Sequence, residues 1–405
     1  MSSKKGYFAY IRFLMMVVGI WRIEHWGSRS NTGKVVYKAY SVTFQLICWS
    51  AMVSLAVELP ELIRTDTVAA MDNVGRFIIL GVIIFKMVMC QSERVLKLLR
   101  LALAQDAQIL TETNAAVKMI YERHVSYDNK FVSLLVTSAT CMGVCVSILG
   151  DVKCYEFLKR AENRNVSDKP VSSRYWYPFD RDDHYALVMV DQNLRPTLAC
   201  LCMGVVSAFV NCVVVFLRLQ LKLLQYDFRH VGKFDEKLKT ASAERTVKML
   251  CLKHQRLIEY VGEFNYSLKD IIFLEYMVTS VSFATLTVQI IAGQQVIFNL
   301  TVLMFTIVQL LTFAWNSNEI IAQSLELSFA LYESRWYEQT SATKTLIHIM
   351  MMRCQKCLCL KIGVLGAMDL SAGISVGLIK VDCKYSSVLC IPSNRVLGKR
   401  ILKKK

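Results

Sequence analysis

The sequence predicts an all-α membrane protein with seven transmembrane helices, a cytoplasmic N-terminus and long cytoplasmic helical extensions. Three observations carry this. Over 405 residues, 54% are apolar and the mean hydropathy is +0.37, above the range of a soluble globular domain. Seven apolar runs reach or approach the ~20 residues needed to cross about 30 Å of hydrocarbon. Finally, 29 of the 48 Lys and Arg residues fall in the segments that alternate with these runs on one side.

The N-terminal segment, residues 1–38, carries seven of those positive charges. Within it, Phe13–Trp21 is too short to span, and no small-residue cleavage site follows. Flanked by Arg12, Arg22 and Trp26, it is expected to lie as an interfacial helix on the inner leaflet. Span one is Ala39–Leu59, with Glu58 at its end. Span two, Val68–Cys90, carries Asp72, Arg76 and Lys86. Spans three (Phe131–Gly150), four (Thr197–Leu217) and six (Val296–Trp315) contain no charge, and span five (Ile271–Gly293) contains only Glu275. A Gly-rich run, Ile362–Ile379, carries Asp369 and completes the seven. Residues 39–340 therefore hold spans one to six with their loops, 341–361 a cytoplasmic helix, 362–390 the last span and 391–405 a basic tail.

Charge sets the orientation. The N-terminal segment and the loops 91–130, 218–270 and 316–361 hold the 29 positives, while the eight positives of the loop 151–196 are balanced by eight acids. The more basic side faces the cytoplasm, which puts the N-terminus inside and the C-terminus outside. A G-protein-coupled receptor requires the reverse. The one glycosylation site in a large outer loop is Asn165 of Asn165-Val166-Ser167; Asn265-Tyr266-Ser267 is expected to be cytoplasmic and unused.

Composition excludes several functions. Of fourteen cysteines, Cys48, Cys90, Cys141, Cys145, Cys200, Cys202 and Cys212 lie within spans and are expected as small residues at helix contacts. Cys354, Cys357 and Cys359 with His348 have zinc-type ligands, but their spacing matches no familiar site, and no metal or other cofactor is expected. The six histidines are scattered singly, with no phosphate loop and no nucleophile elbow, so no enzyme is expected. The positives flank membrane spans, which suits anionic lipid rather than nucleic acid. No proline lies between 197 and 391, so spans five to seven lack the kinks of a G-protein-coupled receptor or a broken-helix transporter.

The inner loops carry helical periodicity. Leu250, Leu257, Val261, Phe264 and Leu268 recur at helical spacing in 244–269, and Val95, Leu98, Leu99, Ala102 and Leu103 do so below span two. These stripes need an apolar partner, either within the chain or in a neighbouring subunit. Lys86 and Glu275 lie near the inner ends of their spans and are expected to snorkel; Asp369 either faces water or caps a restarting helix.

Several motifs together resemble the insect odorant receptors. These are His254-Gln255-x-x-Ile258-x-Tyr260, Phe264-Asn265-x-Ser267-Leu268, Tyr177-Pro178-Phe179, Asn318-Glu319-x-x-x-x-Ser324, Tyr332-x-Ser334-x-Trp336-Tyr337 and Met352-Arg353-x-Gln355-Lys356. The stretch Lys361–Ser375 is most similar to the moth pheromone-receptor branch. The resemblance implies an odorant-gated, non-selective cation channel at the plasma membrane of an olfactory sensory neuron dendrite. It would be a heterotetramer formed with a shared co-receptor subunit.

It further implies a subunit anchor at the inner ends of spans four to seven, here His254, Tyr260, Trp336, Tyr337, Arg353 and Gln355. The pore would be lined by the last span, with Asp369, Ser375 and Ile379 as candidates. A lipophilic odorant or pheromone would sit in the outer half, near Phe77, Cys145, Ile148, Met203, Val206, Phe298 and Thr301, with Tyr177 and Phe179 as part of a lid. A metabotropic chemoreceptor and a gustatory-type receptor channel are the alternatives. The tail departs from the family: Lys380, Asp382 and Lys384 follow the last span at once, and Gly398–Lys405 is strongly basic. Either these charges line a wet pore or the residues after Ser375 derive from a misread or retained gene segment, and the second reading is favoured.

Overall fold

The computed structural model describes residues 6–21, 31–161, 169–231, 241–291, 293 and 296–361. Asn165, Asp369, Ser375, Ile379 and the basic tail lie outside the described residues, as does the whole seventh span. Nine α-helices are present among the described residues: α1 (Ala9–Val17), α2 (Asn31–Thr65), α3 (Thr67–Cys90), α4 (Glu93–Thr111), α5 (Ala115–Ala161), α6 (Tyr185–Arg229), α7 (Ala241–Ile291), α8 (Val296–Tyr332) and α9 (Ser341–Cys354). A 3-10 turn, Trp336–Glu338, connects the last two. Six of these helices, α2, α3 and α5 to α8, contain stretches long and apolar enough to span a membrane. They coincide with spans one to six.

The helices outrun the bilayer. At 1.5 Å per residue, the 47 residues of α5 extend about 70 Å, more than twice the hydrocarbon thickness. Without a break, α5, α6, α7 and α8 carry the bundle past the membrane on the basic side. There the predicted amphipathic stripe of α7 is covered: Leu250, Leu257, Val261, Phe264 and Leu268 are all buried, as are Val95, Leu98, Leu99 and Ala102 of α4. Pro60 in α2 and Pro196 in α6 do not end their helices.

At the centre stands α6. Gly204–Leu217 is buried at every position, which a helix achieves only when other helices cover all its faces. Its closest neighbour is α5, and close approach is encoded by small residues. A side chain at Gly204 would put its Cβ 2.6 Å from that of Ala139, and one at Gly143 would meet the Cα of Thr197 at 2.9 Å. Cys202 and Cys212 are buried on α6, the first against Cys48 of α2, and Cys90 is buried on α3, as expected of small apolar residues. Cys141 and Cys145 are instead exposed on the far side of α5, so for these two the expected helix contact is absent.

The N-terminal segment also differs from expectation. α1 does not simply lie on a leaflet: Tyr7, Phe8, Ile11, Met15 and Trp21 are all buried. The rings of Tyr7 and Phe8 sit 5.1 and 5.0 Å from that of Phe216 on α6. Among the described residues 6–21, only Phe13 keeps a substantially exposed ring, at 56%. Gly19, at φ +70, ends the helix in a left-handed turn in which the Ile20 amide donates to the Met15 carbonyl at 2.9 Å.

Candidate ligand crevice and cytoplasmic anchor

The outer end of the bundle is closed by the loop 169–184, which is tied to four helices. The Trp176 amide donates to the Ser54 carbonyl of α2 at 3.3 Å, and the Ser54 hydroxyl donates to the Trp176 carbonyl at 2.6 Å. Asn73 of α3 donates to the Arg174 carbonyl at 3.0 Å. On α6, the Gln192 side chain accepts from the amides of Ser172 and Ser173 and donates to the Ser173 carbonyl. The loop also crosses α5 at Gly150, where a side chain would collide with Ser172.

Tyr177 and Phe179 form the aromatic part of this cap. Their rings lie 5.4 Å apart, and Phe179 meets His184 edge-on at 5.3 Å. The Tyr177 hydroxyl donates to Asp191 at 2.8 Å, Asp191 pairs with Arg195 at 2.6 Å, and the Arg195 guanidinium lies 4.9 Å from the Tyr175 ring centre. Burial, followed by the hydrogen bond to Asp191, raises the Tyr177 phenol above its ordinary pKa.

Beneath the cap, the covering of α6 changes. Residues Arg195–Leu201 and Met203 are only half-buried, whereas Gly204 onward is sealed. The neighbouring helices therefore part around α6 in the outer half and close in the inner half. Of the predicted ligand residues, Phe77 on α3, Met203 on α6 and Thr301 on α8 are half-buried at this level. Val206 is buried at the floor. Phe298 belongs to α8, but its side chain lies outside the described residues. Cys145 and Ile148 are corrections. With Cys141, Val152 and Tyr155 they form a stripe on α5 opposite the Ala139–Gly143–Ser147 face that packs on α6, and all five are exposed. That face is turned away from the rest of the bundle.

The floor of the crevice is polar. Lys86 of α3, 1% exposed, forms an ion pair with Glu275 of α7. Glu275 accepts a hydrogen bond from Gln309 of α8, whose amide also donates to the Ser207 hydroxyl of α6 at 2.7 Å. Instead of snorkelling to the inner boundary, as their position suggests, Lys86 and Glu275 neutralise each other across the bundle. A small cavity of about 30 Å³ adjoins them, lined also by Val206, Asn211, Thr279 and Thr306. That is room for one or two waters, not for an odorant.

Further toward the cytoplasm, Arg218 donates to Asn316 at 2.6 Å and pairs with Glu319 at 3.4 Å, with Tyr127 under its guanidinium. Lys222–Glu326 and Arg229–Glu333 continue this seam between α6 and α8. Of these, only Glu319 stands in a motif visible in the sequence, and its pairing with Arg218 is not. Opposite charges at equal depth on α3 and α7 were the available signal for the first pair, and the seven-residue spacing of Glu319, Glu326 and Glu333 was the signal for the seam.

The anchor residues divide into two groups. His254 and Tyr260 face inward: the Cys354 sulfur lies 3.9 Å from the His254 ring, and Tyr260 meets Phe216 edge-on at 6.4 Å. Trp336 packs on His348 at 5.0 Å, so His348 is turned away from Cys354. Tyr337 and Gln355 are exposed and Arg353 is half-buried. Burial, with the nearby Arg353 charge, lowers the His254 pKa to about 4. Among the described residues no three metal-ligating side chains gather.

Just beyond α9, Asn265 of α7 holds the chain from both sides. It donates to the Cys359 carbonyl at 3.1 Å and accepts from the Lys361 amide at 2.9 Å, while Ser324 of α8 accepts from the Leu358 amide at 3.0 Å. The residues that lead into the seventh span are thereby fixed to two helices of the anchor.

A capped bundle with a half-open outer crevice and a sealed, ion-paired inner half defines a multi-pass helical membrane protein of receptor type. The sequence profile of the 7tm odorant receptor family matches residues 66–377, and the chain belongs to that family. It is similar to Odorant receptor 10 of Aedes albopictus, 26% identical over 197 residues, covering 47% of this chain and 51% of that protein. Odorant receptor 30a of Drosophila melanogaster is 24% identical over 266 residues, covering 61% and 67% respectively. The matched part thus spans about half to two thirds of these relatives. The fold is that of the insect olfactory receptor OR5 from Machilis hrabei, with a TM-score of 0.69 at 13% identity over 92% of this chain and 95% of that one. The same receptor solved in complex with eugenol gives the same TM-score.

Proposed function

We propose that this protein is the odorant-tuned subunit of a ligand-gated, non-selective cation channel, assembled with a co-receptor subunit in the plasma membrane of an olfactory sensory neuron dendrite. The observation that carries the reading is the family match over 66–377, which includes both the crevice and the anchor. The ligand is a lipophilic volatile, and a pheromone is the narrower expectation from the resemblance of Lys361–Ser375. It enters the outer half of the bundle beside Phe77, Met203 and Thr301, over a floor at Val206 and under the Tyr177–Phe179 cap. The exposed anchor residues Tyr337 and Gln355 are the ones available to a neighbouring subunit, whereas His254 and Tyr260 shape the anchor from within. Asp369, Ser375 and Ile379 remain the proposed pore residues and Asn165 the proposed glycan site. Nothing in this reading requires a catalytic step.

The test is electrical. The chain is expressed with and without an insect co-receptor, and a panel of volatile alcohols, aldehydes and esters is applied. Current that needs both subunits and survives G-protein blockade is expected. Responses abolished by that blockade would select a metabotropic receptor instead.

A further inference from the structure

On the cytoplasmic side, away from the crevice, a groove of about 1570 Å³ runs between α1, the end of α4 and one face of α5. Its α5 wall extends from Lys118 to Thr137. Those 19 steps cover about 28 Å. One leaflet with its headgroups is about 20 Å deep, so the groove crosses the inner leaflet and emerges into the cytoplasm. Lys130 is the last charge before the uncharged run Phe131–Gly150, which places it at the headgroup level.

The lining changes character along this axis. Within the span it is Leu134 with Ser133, faced by the exposed Phe13 ring. Around Lys130 it becomes polar, and Lys118 follows about 18 Å nearer the cytoplasm at the same rise per residue. Neither lysine forms a salt bridge with any described residue, so both cations are available to an external anion. The single acid in the groove, Glu122, leaves the site net positive.

From these features we infer that the groove binds an anionic phospholipid of the inner leaflet. Lys130 meets the phosphodiester, Lys118 adds longer-range attraction from the cytoplasmic mouth of the groove, and the acyl chains lie along Leu134 and Phe13. Basic recesses between helices at the cytoplasmic surface are suited to such headgroups. The occupant would tie α1 to α5, and α1 reaches the central helix through Tyr7 and Phe8.

The full chain, purified in mild detergent, is reconstituted with phosphatidylcholine alone or with added phosphatidylserine or a phosphoinositide, and retained lipid is counted by native mass spectrometry. Preferential retention of either anionic lipid is expected. Lys118→Gln and Lys130→Gln should each weaken it about fivefold, near 1 kcal/mol per surface cation. Lys118→Arg/Lys130→Arg should keep it, and Lys356→Gln, an exposed lysine elsewhere, should not change it. Should a glutamine variant fail to elute as a monodisperse peak, Ser133→Trp, which fills the groove and leaves both lysines, must abolish retention in its place. Equal retention of phosphatidylcholine, or unchanged retention in the glutamine or tryptophan variants, overturns the proposal.

Discussion

At the scale of single residues, the decisive pair is Lys86–Glu275. Each charge alone costs about 2.5–3.5 kcal/mol to place in a span, and the bundle accepts them because they meet. Removing one partner leaves the other buried and uncompensated, a penalty of roughly 3–5 kcal/mol. Lys86→Met and Glu275→Leu should therefore each sharply lower the thermal midpoint measured by fluorescence-detected size exclusion. The double variant should recover most of the loss. Equal, additive losses would mean that the two charges do not interact.

His254 gives a second prediction, in pH. Its folded pKa is lowered to about 4 from an ordinary value near 6.5, so the unfolded chain binds more protons between those limits. The stability it contributes is complete above pH 6.5 and falls as pH drops toward 4, by at most about 3 kcal/mol. His254→Phe should flatten that limb of a stability-against-pH curve. A curve unchanged in shape would assign the acid sensitivity to other groups. The sequence shows His254 as a member of a motif but not why it is needed there; only packing against Cys354 and Phe228 reveals a ring held neutral.

At the scale of helices, six spans and their extensions were legible because hydrocarbon thickness and a 3.6-residue repeat leave a plain trace in composition. What escaped was direction. Cys145 and Ile148 lie at the right depth for a ligand but on the face of α5 turned away from the bundle, and in a span apolar residues line both faces, so the pattern that orients a soluble helix is missing. Small residues carry that information instead. Gly204 sits against Ala139 so closely that Gly204→Ala brings two β-carbons to 2.6 Å, and neither can rotate away. The α5–α6 pair must then separate, at a cost of about 1–3 kcal/mol. Ala139→Gly in the same chain should restore the thermal midpoint, because it reopens the same space. Failure of that rescue would show that Gly204 is required for some reason other than helix approach.

At the scale of the whole molecule, the two ends of the bundle differ in charge. The four segments that hold 29 of the 48 basic residues include the regions where α4, α7 and α9 pack into a single extramembrane body. The loop 169–184 caps the opposite end, where Lys169 donates to the Asp182 backbone carbonyl at 2.6 Å and, in the first turns of α6 beside it, Asp191 pairs with Arg195 at 2.6 Å. The Lys/Arg excess therefore puts the α4–α7–α9 body in the cytoplasm and the cap outside. An epitope tag before Met1 should be stained by antibody only after cells are permeabilised, whereas a tag inserted between Arg164 and Asn165 should be stained on intact cells. Asn165→Gln should remove one endoglycosidase-sensitive increment of mass, and Asn265→Gln should not. Staining of the N-terminal tag on intact cells would invert the bundle. The ligand crevice would then open to the cytoplasm and the basic groove to the outside, and both the odorant reading and the lipid reading would fall with it.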